Sequence, residues 1–228
     1  MEKSTVALSR LLQLASPMLP VGAYSYSQGL EWAIEDGIVN DQASTARWIA
    51  DAMQATQARF ELPVLLRLFR AWEAEDGQGV EKWDSFYLAG RDTAEALAET
   101  QQMGYSLQRL LNELEILPAE VAARLRGIEK PGFPTVYAAV AVHWGLAVEE
   151  AMHVYLWGWL ENQTSAAMKT VPLGQAAGQR IMLALGETIP KIVAGALALD
   201  DRDISNFAPL LSIAGCKHET QYTRLFRS

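Results

Sequence analysis

The chain has 228 residues, half of them hydrophobic and 20% charged, with a formal net charge of −8 and one cysteine, Cys216. That length allows one large domain or two small ones, and the composition excludes a disordered polymer and a disulfide scaffold. The acidic balance, with no basic stretch to reverse it, argues against nucleic acid as a partner, and a lone thiol suits a reducing cytoplasm.

Helix-period patterns dominate the chain and no run alternates with period two. The expectation is therefore an all-α fold, a single compact domain of roughly seven to ten helices. Met1-Glu2-Lys3-Ser4-Thr5 offers no charged region followed by a long apolar run, so no secretion signal is expected. A first helix should cover about Val6 to Ala15 and end where Pro17 and Pro20 forbid continuation. The second begins inside Val21 to Glu31 and stops at Asp36-Gly37. Asp41 or Ser44 can cap the third, whose Ile49, Met53 and Phe60 share one face. Pro63 marks the start of a fourth.

The strongest apolar stripe runs from Trp83 through Tyr87, Gly90, Ala94, Leu97, Gln101, Gly104, Leu107 and Leu111 to Leu114. Gly90 and Gly104 let a neighbouring helix come close, and Gly104 is a place where the helix can bend or split. Leu117-Pro118 ends it, and a short helix reaches Arg126. Gly127 to Pro134 reads as a loop, followed by helices at about Thr135–Leu146, Val148–Met168 and Pro172–Leu199, the last divided by Pro190. The apolar stretch from Phe133 to Leu160 is broken by His143, Glu149, Glu150 and His153, so it predicts buried helix and no membrane span. Asp200 to Asp203 is a solvated turn, and a short helix near Pro209–Gly215 precedes the tail.

Neither nucleotide cradle is present as a motif, and there is no Gly-x-Ser-x-Gly elbow. Glu149, Glu150 and His153 share a helix face and form half of a di-metal pattern. The other half is missing, so a partly buried histidine paired to a carboxylate is the favoured reading and no metal or other cofactor is expected. Cys216, His218 and Glu219 are candidate ligands in a frayed tail, which makes no preformed site.

Three segments stand out as surfaces. The tail, Lys217 to Ser228, sets Lys217, Arg224 and Arg227 against one acid, Glu219, and adds Tyr222, Leu225 and Phe226. Such residues dock, onto a partner or onto the chain's own domain. Tyr24-Ser25-Tyr26-Ser27-Gln28 is either a helix cap whose tyrosines cover core or an exposed aromatic patch. Lys169, just ahead of Val171-Pro172-Leu173-Gly174-Gln175, either complements the end of a helix dipole or meets a partner.

Together these segments resemble the urease accessory protein UreF family over nearly the whole chain. The resemblance rests on Leu-Gln-Leu-Ala-Ser-Pro at 12–17, Leu-Pro-Val-Gly at 19–22 and Tyr-Ser-Tyr-Ser-Gln-Gly-Leu-Glu-Trp at 24–32. It also rests on Lys169 with Val-Pro-Leu-Gly-Gln at 171–175, and on His-Glu-Thr-Gln-Tyr-Thr-Arg-Leu-Phe-Arg-Ser at 218–228. Ala23 stands where the family often has Gly, which bears only on the local turn. The resemblance implies a helical domain over 1–216 and a flexible partner-docking tail over 217–228. It implies a cytoplasmic, dimeric protein without a catalytic site, which binds the accessory protein UreD (UreH in some organisms) and recruits the GTPase UreG for nickel delivery to apo-urease. Partner contacts are carried over onto Lys169, His218, Glu219, Tyr222, Arg224, Phe226 and Arg227, and onto Tyr24, Ser25, Tyr26 and Gln28. Two rival readings are a GTPase-activating role for Arg224 or Arg227, and a helical nickel carrier using His153 and Glu150.

Overall fold

The computed structural model describes residues 2–228, with side chains from Thr5 onward. Twelve α-helices and no strand occur among the described residues. They are α1 (Glu2–Ala15), α2 (Leu30–Glu35), α3 (Gln42–Ala52), α4 (Leu62–Glu73), α5 (Gly77–Ala89), α6 (Ala94–Glu113) and α7 (Ala119–Gly127). After these come α8 (Phe133–His143), α9 (Val148–Thr170), α10 (Gln175–Gly186), α11 (Ile189–Leu197) and α12 (Pro209–Glu219). The count exceeds the expected range because the long stripes are divided.

The centre is built by α4 and α8. Every residue of α8 from Pro134 to Ala141 is buried, and α4 hides nine of its side chains, including Leu62, Leu66, Phe69 and Trp72. These two helices pack along each other, the Trp72 indole N–H donating to the Thr135 carbonyl at 3.0 Å. Around them, α5 and α11 pack on α4, α6 packs on α8, and α9 carries α1, α2, α10 and α11. A buried carboxylate ties α5 to the start of α8. Asp84 accepts from the Gly132 N–H at 2.9 Å and from the Thr135 hydroxyl, occupying N–H and O–H donors at a helix start that has no side-chain cap of its own.

Asp41 caps α3 as expected, with a reciprocal box. Ser44 N–H donates to Asp41 Oδ1 at 2.7 Å and Asp41 N–H donates to Ser44 Oγ at 3.0 Å. Helix α3 does not stop before Pro63. It runs into α4 through a π-helical stretch, Met53–Glu61, so residues 42–73 form one rod. Pro63 has no N–H, and its ring crowds the carbonyl four residues back, that of Arg59. The wider turn makes room, and the Ser205 N–H satisfies the Arg59 carbonyl instead, at 3.0 Å.

The stripe from Trp83 to Leu114 breaks at Gly90–Thr93, not at Gly104. Thr93 restarts the helix as a cap, accepting the Ala96 N–H at 3.0 Å. Gly104 stays inside α6, and a methyl group there would strike the Pro131 carbonyl oxygen. The glycine is required by the close approach of the 131–132 loop, as Gly90 is by the Phe60 ring.

Two other boundaries move. Pro172 lies outside any helix, because Leu173 N–H closes a three-residue turn onto the Val171 carbonyl at 2.6 Å and α10 starts only at Gln175. Helix α12 continues to Glu219, so Cys216 to Glu219 are helical and not frayed. No helix among the described residues is long and apolar enough to cross a membrane.

Candidate partner-docking site

The site is assembled where the segment 22–29, helix α6 and the last residues of the chain meet. Ala23–Ser25 is a single 3₁₀ turn, entered through Gly22 at φ 81°. Gln28 follows in the left-handed region at φ 54°, a conformation that costs a residue with a Cβ about 1 kcal/mol or more. Three contacts hold it. Its side chain accepts from the Trp159 indole at 2.7 Å and donates to Glu99 Oε1 at 2.7 Å. Its N–H and that of Ser27 both point at the Ser228 carbonyl oxygen, at 3.0 and 2.6 Å, and the Ser27 hydroxyl joins them. Two successive amides aimed at one oxygen make a small acceptor-binding cradle, and Ser228 fills it.

The tail is therefore folded back over its own domain. Arg227 N–H donates to the Ser25 carbonyl at 2.8 Å. Glu31, in the first turn of α2, accepts the Leu225 N–H at 2.6 Å and the Phe226 N–H at 2.9 Å. Phe226 is 6% exposed, and the Lys169 ammonium sits 5.5 Å from its ring centre. His218 is wholly buried, its Nδ1 2.7 Å from Glu95 Oε2 and its Nε2 3.2 Å from Glu31 Oε2. Carboxylates only accept, so each ring nitrogen faces an acceptor. Glu95 also pairs with Arg224 at 2.6 Å, and its backbone N–H donates to Glu219 Oε1 at 3.2 Å. Asn162 on α9 donates to the Tyr26 carbonyl at 3.0 Å.

This geometry sorts the sequence candidates. His218, Tyr26 and Phe226 face inward and build the platform. Tyr24 is half-buried beside Glu161; burial, with the neighbouring carboxylate, pushes its phenol up to about 12. Of the two readings of segment 24–28, the turn that covers core fits Tyr26, and neither fits Gln28, whose side chain is a connector. Ser25 is half-buried, and Glu219 is half-buried against α6. Tyr222 is fully exposed, Leu225 is 64% exposed, and Arg224, Arg227 and Lys169 are exposed too. Lys169 also ends α9, where its charge meets the negative end of the helix dipole.

The partners Glu31, Glu95, Glu99 and Asn162 were not among the sequence candidates. The available signal was the tail itself, whose cations need acids to land on. The metal-like group does not assemble either. Among the described residues, no hydrogen bond or ion pair joins His153 to Glu149 or Glu150, which lie in the exposed first turn of α9.

Behind the tail lies a cavity of about 210 Å³, with Leu14, Val21 and Trp48 on its apolar wall and Gln28, Glu99 and Ser228 on its polar one. Its floor holds a buried ion pair. Arg91 bonds Glu61 at 2.6 Å, and the Tyr87 hydroxyl donates to the same carboxylate at 2.8 Å. The Arg91 guanidinium lies 4.2 Å from the Tyr87 ring centre and 4.9 Å from that of Phe60. Burial pushes the hydroxyls of Tyr87 and Tyr155 well above the usual phenol range, so both remain donors at any neutral pH.

The sequence model of the UreF family matches residues 39–186. The urease accessory protein UreF of Methylobacillus flagellatus is 57% identical over 222 residues, which cover 97% of this chain and 98% of that protein. That of Azoarcus sp. (strain BH72) is 51% identical over 97% of this chain and 95% of its own length. That of Dechloromonas aromatica is 49% identical over 99% of this chain and 100% of its own length. With matches at this identity running almost end to end in both partners, the chain belongs to the urease accessory protein UreF family.

Proposed function

We propose that this chain is a non-catalytic adaptor of urease maturation. In this reading it acts in the cytoplasm as a homodimer, binds the accessory protein UreD (UreH), and recruits and regulates the GTPase UreG as nickel is delivered to apo-urease. The relatives' designation as urease accessory proteins supports the process. One observation carries the docking surface. The tail divides into inward anchors (His218, Phe226 and Ser228) and an outward row of Tyr222, Arg224, Leu225 and Arg227. On a chain with net charge −8, a cationic and apolar row of this kind is an interaction surface, since aromatic and arginine side chains dominate binding energy. Lys169 continues it through its contact with Phe226. The mechanism is differential binding, in which the adaptor favours one state of its partner and shifts that equilibrium.

The test is capture of UreD and UreG by a chain ending after Thr220. That end point spares α12 and buried His218, which a cut at 217 would excise. The expected result is unchanged helicity with loss of capture. Undiminished capture would remove the tail from the proposal.

A further inference from the structure

Glu99 sits at the seam between the tail and the body. It is 6% exposed, on α6, and no cation pairs with it among the described ion pairs. Its two oxygens are divided between neutral donors on the two sides of the seam: Gln28 Nε2 at 2.7 Å and Ser228 Oγ at 2.8 Å. The Arg91 guanidinium, whose charge favours ionised Glu99, is engaged by Glu61, whose own charge opposes ionisation of Glu99. Other titratable groups facing this region are Tyr26, which feels the Glu99 charge, and Arg227, whose charge opposes that effect on the Tyr26 phenol. Further along the tail stand His218, Glu31, Glu95 and Arg224. Burial pushes Glu99 up to about 7, only partly offset by its hydrogen bonds and by Arg91.

We propose that Glu99 is a proton-operated latch on the C-terminal segment, so that closing the tail over the cavity takes up a proton and ionising Glu99 loosens it. The physical reason is that Ser228, itself buried, lies against Glu99 on the tail side. A carboxylate sealed in this way without a cation is better accommodated neutral, and undocking the tail readmits solvent to it. Glu99 carries a raised pKa in the closed state, so closure is strongest below the open-state pKa and weakens as pH rises through about 7. The outward row would then be presented in two pH-dependent arrangements. Only that consequence rests on the proposed docking role. The latch itself belongs to the isolated chain, so either idea can fail without the other.

A nitroxide on Thr223→Cys in a Cys216→Ser background reports the tail, because both positions are exposed. The mobile-to-immobile ratio is expected to rise about tenfold between pH 5.5 and 8, the change that one unit of coupling produces. Glu99→Gln is expected to flatten that response to less than about twofold. A pH-independent ratio in the parent chain overturns the latch. So does a response that survives Glu99→Gln. A second readout does not depend on that variant folding. Carbon-13 titration of Glu99 should give a lower pKa in a chain ending after Thr220 than in the full chain. Equal values overturn the proposal.

Discussion

His218 shows how one side chain can be read correctly in type and wrongly in place. In sequence it is a histidine near a charged end, a candidate to touch a partner. In the fold it is completely buried, and its ring joins Glu31 of α2 to Glu95 of α6. The same two carboxylates hold the Leu225 and Phe226 amides and Arg224. Removing the ring leaves two largely buried acids facing a hole. His218→Ala should therefore cost about 3 kcal/mol or more, measured by urea unfolding at pH 6.5. A loss below about 0.5 kcal/mol, the range of ordinary surface changes, would show that the ring is not the keystone described here. Lys169, Tyr222 and the tail arginines were legible as surface residues because no local pattern asked for them. Glu99 was not, since its significance lies in a contact with a residue 129 positions away.

At the scale of elements, most of the fold was legible. Prolines at 17, 20, 118 and 190 and the Asp41 cap ended or started helices where residue chemistry says they must. The misreadings share a cause, which is that a neighbour decided the outcome. The π stretch before Pro63 depends on Ser205 reaching the Arg59 carbonyl. The intact helix at Gly104 depends on the 131–132 loop lying directly against it. Gly104→Ala tests that account. Helix propensity alone would favour alanine by about 1 kcal/mol. The methyl group would instead collide with the Pro131 carbonyl, so a net destabilisation of about 1–3 kcal/mol is expected in thermal unfolding. A gain in stability would mean that the loop is free to move away.

At the scale of the whole molecule, the chain pairs an acidic, helical body with a tail that is cationic outside and anchored inside. The family was legible from three separated motifs, because those motifs are the parts that the fold brings together: segment 24–28, the end of α9 and the tail. What the motifs could not disclose is the division of labour among their residues, since burial is a property of the folded chain. The central claim is that the outward row binds and the inward row holds. The most direct measurement is the affinity of UreD for the chain carrying Tyr222→Ala, Leu225→Ala and Arg227→Ala together, alongside its melting temperature. The expected result is binding weakened by about 30-fold or more, as loss of a hot spot worth 2 kcal/mol implies, at an unchanged melting temperature. Full affinity in that variant would contradict the account.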